Sequence, residues 1–193
     1  MKLKTAADCG IDARHIKFDK TIKEFELKRE IEKLNDDHDI NGIIVQLPLD
    51  NEFPIDSDKI VNTVDPLKDV DGLNLVNAGK VTHGQFADAF VPCTPKGCME
   101  LIKSTGIDIA GKNAVVIGRS KLVGTPMANL LKASNATVTL CHSKTVDLPS
   151  VCKNADILVV AIGKSKMVKE DWVKPGAVVI DCGINCFMGN YFK

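Results

Sequence analysis

Residues 115–126, VVIGRSKLVGTP, contain the turn that decides the fold of this protein. A short apolar run is followed by Gly118, a polar turn with Ser120, a second glycine at Gly124, and a proline. This order predicts a β-strand that enters a phosphate-binding turn and continues into a helix, because small residues let the backbone approach phosphate groups. The spacing departs from G-x-G-x-x-G, so an ordinary turn without a ligand is an equal alternative at this point.

The residues around this turn predict a parallel sheet. Strands are expected at NAVVI, ATVTLC, DILVVAI and GAVVIDCGI, and helices at 123–133 and 148–153. Three of these strands are apolar on both faces, as is typical of the covered centre of a parallel sheet. The second half of the chain is therefore predicted to be a doubly wound, Rossmann-type domain within an α/β protein. Such a domain normally has more strands, so we expect that the chain is cut at its C-terminal end.

The first half of the chain is predicted to be a smaller α/β unit. Residues 2–11 suggest the end of a helix that stops at Gly10, and a helix over 21–35 would begin with a capping box between Thr21 and Glu24. A helix is also predicted at 56–63, and short strands at 13–18 and 42–49. Residues 65–92 are predicted to be irregular, and a helix over 95–105 should bridge to the second domain. The predicted domains are 1–92 and 93–193.

The composition argues against a nucleic-acid-binding or membrane-spanning protein and against a zinc site. Lys and Arg together number 25, as do Asp and Glu, so no general field for nucleic acid or an anionic membrane is expected. No apolar run is long enough for a membrane span. The cysteines form no C-x-x-C pair, and their spacing is not a convincing zinc set, so we expect buried free thiols and no metal site. These cysteines are Cys9, Cys93, Cys98, Cys141, Cys152, Cys182 and Cys186.

The second strand of the predicted nucleotide domain indicates which dinucleotide would bind. An NAD-binding unit places a carboxylate near the end of this strand, where it receives the ribose 2′-hydroxyl. Here the strand is followed by His142, Ser143 and Lys144, and Arg119 lies in the first turn. Cations and hydroxyls in place of a carboxylate favour a 2′-phosphate, so NADP is preferred over NAD. Solvated side chains at Arg119 and Lys144 are the alternative.

Several stretches together resemble one known family. They are GIIVQLPLD (42–50), KDVDGLN (68–74), PCTPKGC (92–98), GRSKLVGTPM (118–127), ATVTLCHSKT (136–145) and KPGAVVIDCGIN (174–185). The chain resembles the bifunctional methylenetetrahydrofolate dehydrogenase/methenyltetrahydrofolate cyclohydrolase family, and is most similar to the eukaryotic domain of C1-tetrahydrofolate synthase. The resemblance implies that family segments precede Lys2, including a tyrosine that stacks on folate, and that others follow the C-terminal end.

The resemblance also implies roles for residues of the first domain. The segment MKLKTAA matches the end of a Tyr-x-x-x-Lys motif, so Lys2 is similar to the catalytic lysine. Gln46, in VQLP, matches a glutamine that contacts the lysine and the substrate, and Pro48 would lie beside the same substrate. Asp71, in DVDG, matches a carboxylate that binds the pterin ring, whereas Asp69 would be a turn residue.

The implied cofactor is NADP, held in a cleft between the two domains. Pro95 and Lys96 would line this cleft, and His142 would be positional rather than catalytic. Nicotinamide and ribose would pass the ends of later strands. The residues implied to bind the cofactor are Thr94, Gly118, Arg119, Ser120, Gly124, Ser143, Gly163 and Ile184.

The implied activity is the oxidation of 5,10-methylenetetrahydrofolate by NADP, followed by hydrolysis of the methenyl product to 10-formyltetrahydrofolate. The family resemblance further implies a homodimer and a cytoplasmic location, with a mitochondrial one as the alternative. Two other functions stay open. One is a non-catalytic product that retains part of the nucleotide site. The other is an unrelated NADP oxidoreductase that shares only the second domain, against which VQLP and DVDG argue.

Overall fold

A computed structural model describes residues 2–184. The regular secondary structure of the first half is helical, with long irregular segments between the helices, and the second half alternates strands with helices. Short 3-10 helices lie at Phe86–Asp88 and Glu170–Trp172. The helices are α1 Lys2–Asp8, α2 Glu24–Asp36, α3 Ser57–Thr63, α4 Leu75–Thr82, α5 Cys93–Ser104, α6 Gly124–Ala133 and α7 Leu148–Lys153. The strands are β1 Asn113–Ile117, β2 Thr137–Cys141, β3 Ile157–Val160 and β4 Val178–Asp181.

The four strands form one parallel sheet in the order β2-β1-β3-β4. Alternate residues of β1 point to opposite faces, so Val116 packs towards α5 and α6 while Val115 packs towards α7. Helices therefore cover both faces, and the predicted doubly wound α/β fold is confirmed. The chain order reverses between β1 and β3, which is where such sheets bind ligands, beyond the carboxyl ends of the strands.

The prediction that three strands are covered on both faces is wrong for the described residues. Strands β1 and β3 are buried along almost their whole length. Strand β2 exposes Thr137, Thr139 and Leu140, and β4 is only partly buried. These two strands flank the sheet in residues 2–184, where one side is unpaired and the helices cover them incompletely.

Two strands predicted in the first half are not formed. Residues 13–18 have no regular secondary structure, and of residues 42–49 only Ile43 makes a bridge, to Asp69. An extended segment needs a neighbour that accepts and donates its backbone hydrogen bonds, and neither segment has a continuous one in the described part of the chain. The core here is instead built by α2 and α3, with Leu27, Ile31 and Ile60 buried.

Two further local predictions are corrected. Thr21 does not cap α2, because its backbone N–H and its hydroxyl both donate to the Asp19 side chain. The helix begins later, and the Glu26 carboxylate accepts the Lys23 N–H at 2.9 Å. Residues 75–82, predicted to be irregular, form α4, because the Asn74 side chain accepts the Val76 N–H and caps the helix.

Direct contacts join the two halves. The Thr82 hydroxyl and carbonyl at the end of α4 accept hydrogen bonds from Asn129 and Lys132 on α6, at 3.1 and 3.3 Å. Lys121, in the turn before α6, forms an ion pair with Asp58 on α3. Helix α5 packs on α6 and β4 through buried residues such as Ile102, so the predicted bridging helix is present and begins at Cys93. Among residues 2–184, no helix has the length and apolar character needed to cross a membrane.

Candidate active site

Lys2 and Gln46 are in direct contact, although 44 positions separate them in the sequence. The Lys2 ammonium, on the first residue of α1, donates to the Gln46 side-chain oxygen at 2.8 Å. The amide nitrogen of Gln46 donates to the Leu47 carbonyl at 2.9 Å, which turns its oxygen towards Lys2. Both side chains are exposed, so a small molecule can reach them.

Asp71 is the third member of this group. Its side chain is partly buried, and this loss of hydration raises the pKa of the Asp71 carboxyl above its usual value. The nearby Lys2 ammonium opposes the increase, and the charge of Asp69 adds to it. Lys2 therefore contacts the neutral amide of Gln46, and its charge acts on the Asp71 carboxylate although no hydrogen bond or ion pair joins the two in the described residues. We refer to Lys2, Gln46 and Asp71 as the lysine cluster.

Pro48 and Asp69 lie next to this cluster in the sequence but have different surroundings. Pro48 is exposed, two residues after Gln46, and follows a cis peptide bond. Asp69 is buried, and its carboxylate accepts hydrogen bonds from the Leu73 and Asn74 backbone and from Asn77. Asp69 therefore organises the turn, as predicted, and leaves Asp71 as the carboxylate available to a ligand.

The turn after β1 is shaped by close backbone contacts. Gly118 has φ +115°, and a Cβ there would lie 2.4 Å from the Ala161 carbonyl oxygen that follows β3. A Cβ on Gly124, the first residue of α6, would lie 1.9 Å from the Gly118 oxygen. The turn, the start of α6 and the end of β3 therefore meet at distances that only glycine permits.

Ser120 and Arg119 give this turn its polar groups. The Ser120 hydroxyl oxygen accepts the N–H groups of Val123 and Gly124 at 3.1 and 3.3 Å, so its own hydrogen remains free to be donated. Arg119 is exposed, and within residues 2–184 its guanidinium pairs with no carboxylate. A phosphate placed here would find a cation, a hydroxyl and the positive end of a helix dipole.

The turn after β2 presents two more polar side chains. The His142 N–H donates to the Thr145 hydroxyl at 2.9 Å, and the Lys144 N–H donates to His142 Nδ1 at 3.1 Å. These bonds fix the turn and leave Ser143 and Lys144 exposed. The segment 142–145 contains no carboxylate, which suits a phosphorylated ribose better than a free 2′-hydroxyl.

The turns after β3 and β4 pack against each other. A Cβ on Gly163 would lie 2.8 Å from the Ile184 carbonyl oxygen, and one on Gly183 would lie 2.0 Å from the Ile162 oxygen. Gly183 was not among the site residues predicted from the sequence, although a glycine inside the predicted strand GAVVIDCGI is a signal for close backbone contact. The predicted pair Gly163 and Ile184 is thus brought together.

The start of α5 agrees only partly with the sequence prediction. Thr94 and Lys96 are exposed in its first turn. Pro95 is fully buried, so it packs into the protein and does not line a cleft as predicted. Its place in the first turn of α5, where a missing N–H leaves no hydrogen bond unmade, explains why proline is suitable there.

Cys98, Cys141 and Cys152 are buried free thiols, as predicted, whereas Cys9 and Cys93 are exposed and Cys182 is partly buried. Burial raises the pKa of Cys152 to about 11 and, together with the neighbouring Cys98, raises that of Cys182 to about 12. A thiol with a raised pKa is a poor nucleophile near neutral pH. In the described part of the chain, no three His, Cys, Asp or Glu side chains are placed to hold a metal ion.

An open groove on the first half contains none of the predicted site residues. It is lined by side chains that include Phe18, Ile22, Phe25, Arg29 and Phe53. Its polar residues are of mixed charge, among them Lys23, Glu26 and Glu30, and they show no selectivity for an anion. The groove is therefore separate from the lysine cluster and the phosphate-type turn.

A doubly wound sheet with a phosphate-type turn, preceded by a first half whose regular secondary structure is helical and which carries the lysine cluster, is typical of the dinucleotide-binding α/β proteins. The family comparison agrees. Residues 1–71 match the tetrahydrofolate dehydrogenase/cyclohydrolase catalytic domain, and residues 92–192 match the NAD(P)-binding domain of the same family. The chain belongs to the tetrahydrofolate dehydrogenase/cyclohydrolase family, and the resemblance noted in the sequence is confirmed.

Individual relatives support this assignment. The chain is 57% identical over 185 residues to the cytoplasmic C-1-tetrahydrofolate synthase of Rattus norvegicus, covering 96% of this chain and 20% of that protein. A bifunctional FolD enzyme of Campylobacter jejuni is 41% identical with a TM-score of 0.93, covering 98% of this chain and 67% of that one. A FolD enzyme of Trypanosoma brucei, solved with NADP and an inhibitor, is 38% identical with a TM-score of 0.89. The match covers 95% of this chain and 62% of that one. The chain thus spans about a fifth of the length of the curated synthases that it matches.

Proposed function

We propose that this chain binds a tetrahydrofolate derivative at the lysine cluster and NADP at the turn after β1. It would oxidise 5,10-methylenetetrahydrofolate to the methenyl form and hydrolyse that product to 10-formyltetrahydrofolate, as a step of one-carbon metabolism. The main observation in support is the 2.8 Å contact between Lys2 and Gln46 beside Asp71, because these three residues come from separate segments of the chain. Membership of the family supports the same conclusion.

Recognition of folate is assigned to Asp71 and Gln46, with Pro48 beside them. A pterin ring presents neighbouring N–H donors, and a carboxylate can accept two of them at once. In the described part of the chain, the Asp71 carboxylate accepts no hydrogen bond, so both oxygens remain available. Partial burial strengthens such hydrogen bonds because water competes less.

The oxidation step depends on positioning. The nicotinamide of bound NADP supplies the carbon that accepts a hydride. The chain's contribution is to hold the folate one-carbon bridge in place through Asp71 and Gln46, which brings the reacting atoms together without a metal or a covalent intermediate. The Lys121–Asp58 ion pair and the contacts between α4 and α6 support a fixed arrangement of the two halves.

The hydrolysis step is assigned to Lys2. Water must attack the methenyl carbon, and a proton must be moved as a ring carbon–nitrogen bond breaks. An amine that alternates between its neutral and charged forms can carry that proton. Gln46 does not titrate near neutral pH, so it can hold the Lys2 nitrogen in place in either form.

The preference for NADP over NAD is assigned to Arg119 and Ser143, with Lys144 beside them. All three are exposed, and the two turns in which they lie follow the adjacent strands β1 and β2. Ser120 and Gly124 are proposed to approach the pyrophosphate, and Thr94, Gly163 and Ile184 the remainder of the cofactor. The neighbouring structure with bound NADP supports the choice of cofactor.

Three further features are proposed from the family. The folate-binding and NADP-binding domains are taken as 1–92 and 93–193, and the matched ranges 1–71 and 92–192 support that division. A homodimer is proposed, to be tested by light scattering of the purified chain. A cytoplasmic location is proposed from the names of the synthase relatives.

The activity is tested by following NADPH absorbance after mixing the chain with NADP and 5,10-methylenetetrahydrofolate. We expect turnover that Lys2→Ala abolishes and that Lys4→Ala, an exposed lysine on the same helix, leaves unchanged. NADP binding without turnover would identify a non-catalytic protein. Equal losses of turnover in Lys2→Ala and Lys4→Ala would show that Lys2 has no specific role in the reaction.

The cofactor preference is tested separately by titrating NADP and NAD. Arg119→Ala should weaken NADP by about tenfold or more, because a charge-assisted contact to the 2′-phosphate is lost, and should leave NAD almost unchanged. Equal affinities of the unaltered chain for the two dinucleotides would refute the assignment of Arg119.

A further inference from the structure

Asn77, on α4, is a buried side chain with an unusual number of connections. It is 1% exposed, and its amide group joins three separate segments. The side-chain nitrogen donates to the Pro66 carbonyl and to the Asp69 carboxylate, both at 2.9 Å. The side-chain oxygen accepts the Phe90 N–H at 3.2 Å. Both hydrogens of the Asn77 amide group are therefore donated to partners within the protein.

Two of these partners hold the loop that carries Asp71. The Asp69 carboxylate, 3% exposed, also accepts the backbone N–H groups of Leu73 at 3.2 Å and Asn74 at 2.8 Å. It therefore fixes the backbone on both sides of Asp71. On the other side of the loop, Gly72 has φ +66°, and a Cβ there would lie 2.3 Å from the Phe90 carbonyl oxygen. Asn77 thus fixes Asp69 and Phe90, between which the loop is held.

Asp71 depends on this support. In residues 2–184 its carboxylate accepts no hydrogen bond, so hydrogen bonding of its own side chain does not fix its direction. Its position is set by the backbone of residues 69–73 and by the partly buried environment. We propose that Asn77 is a positioning residue, which acts through Asp69 and the Phe90 backbone to hold Asp71 where it binds folate. This inference rests on the proposed function of Asp71.

The test compares Asn77→Ala with Val81→Ala. Val81 is 2% exposed and lies one turn further along the same helix, so its truncation weakens the packing of α4 without touching the hydrogen bonds of Asn77. The dissociation constants of 5,10-methenyltetrahydrofolate and NADP are measured for both variants by titration calorimetry. We expect Asn77→Ala to raise the folate constant about tenfold and to change that of NADP less than about twofold.

Val81→Ala should change both constants less than about twofold, even where it lowers the melting temperature as much as Asn77→Ala does. A purely structural role of Asn77 would make the two variants behave alike, and that result would overturn the proposal. An unchanged folate constant in Asn77→Ala would also overturn it.

A second variant keeps the proposal testable where Asn77→Ala does not fold. Asn77→Ser keeps a polar group in this buried position, but its single hydroxyl hydrogen can be donated to the Pro66 carbonyl or to the Asp69 carboxylate and not to both. It should therefore raise the folate constant selectively as well, and failure to do so would contradict the proposal.

Asp71→Ala distinguishes the positioning role of Asn77 from the folate-binding role of Asp71. Loss of folate affinity in Asp71→Ala without loss in the Asn77 variants overturns the positioning role alone. Unchanged folate affinity in Asp71→Ala overturns the proposed function of Asp71, and the positioning role with it.

Discussion

Two glycines, Gly118 and Gly124, bring three backbone segments into contact at the predicted phosphate site. A glycine at the end of a first strand is a common motif, and by itself it was compatible with an empty turn. The structure adds the reason for each glycine, since a Cβ at Gly124 would overlap the Gly118 carbonyl oxygen at 1.9 Å. The requirement is steric, so it can be tested without any ligand.

Gly124→Ala should destabilise the protein by about 2 kcal/mol or more, because the added methyl group meets backbone atoms that cannot rotate away. The matched control is Gly97→Ala in α5, where nothing lies within 4 Å of the added Cβ. That variant should gain up to about 1 kcal/mol from the better helix propensity of alanine. Urea unfolding of both variants measures the difference, and similar stabilities would contradict the steric account.

Asp71 provides a prediction for stability as a function of pH. Its folded-state pKa is raised by burial, so between the unfolded and folded pKa values the unfolded chain releases this proton first. The contribution of Asp71 to stability is therefore greatest below the ordinary value of 3.8 and is lost as pH rises through the folded pKa. At neutral pH the buried charge destabilises the protein.

Asp71→Asn should raise the melting temperature at pH 7, and the gain should shrink as pH falls towards 4. Asp39→Asn, an exposed aspartate in the turn after α2, is the control and should show no such trend. Thermal unfolding across this pH range provides the measurement. An unchanged melting temperature at pH 7 in Asp71→Asn would show that the carboxylate is well solvated, and a lower one would show that it is paired; either result contradicts the prediction.

Helix α5 packs on the core of the second half through one of its faces. Its inward face buries Cys98, Met99 and Ile102 against β1, β3 and α6, and its outward face exposes Leu101. A helix was predicted over 95–105, and the observed helix begins two residues earlier. Local patterns therefore suffice where one helix face meets one sheet face.

Ile102→Ala should cost about 3 kcal/mol, because a fully buried side chain leaves a cavity in the sheet's core. Leu101→Ala, at the adjacent and 58% exposed position, should cost less than about 0.5 kcal/mol. Denaturant unfolding measures both values. Equal costs would mean that α5 does not pack on the sheet by the face described.

The first half was harder to predict from the sequence, for a physical reason. Residues 42–49 have the apolar character of a strand, but a strand is defined by its partner, and only Ile43 has one in the described chain. Helix α4 was missed because its stability comes from the Asn74 cap and from the buried side chains of Asn77 and Val81, which periodicity did not reveal. Between residues 113 and 184 the four strands and helices α6 and α7 lie where their local patterns predicted them, although β2 and β4 are less covered than predicted.

In the candidate site, too, features formed by consecutive residues were predicted from the sequence, and features formed by distant residues were not. The turn at Gly118 could be predicted from local sequence, because strand, turn and helix are consecutive. The contact of Lys2 with Gln46 spans 44 positions, and only the family resemblance indicated it. The supports behind Asp71, namely Asp69 and Asn77, were not predicted as a unit, because their hydrogen bonds connect segments that are irregular in the sequence.

The two halves of the molecule are joined by few polar contacts, of which the Lys121–Asp58 pair is fully on the surface. Both side chains are largely exposed, so the pair should contribute less than about 1 kcal/mol. The hydrogen bonds from α6 to Thr82 and the packing of α5 provide the remainder of the connection. The relative position of the halves is therefore expected to be insensitive to salt.

A double-mutant cycle with Asp58→Asn and Lys121→Met tests this expectation. The coupling energy should be below about 1 kcal/mol in dilute buffer and should vanish near 1 M salt, where exposed charges are screened within about 3 Å. A larger coupling that persists in salt would show that the ion pair is a principal connection between the halves.

The central claim is that the lysine cluster of the first half and the turn of the second half serve one reaction. Deuterium placed on the methylene bridge of 5,10-methylenetetrahydrofolate tests it most directly, with mass spectrometry of the nucleotide after incubation with NADP. The account predicts that the label appears in NADPH, and that Asp71→Asn slows its transfer while NADP still binds. Unlabelled nucleotide from a chain that binds both folate and NADP would contradict it.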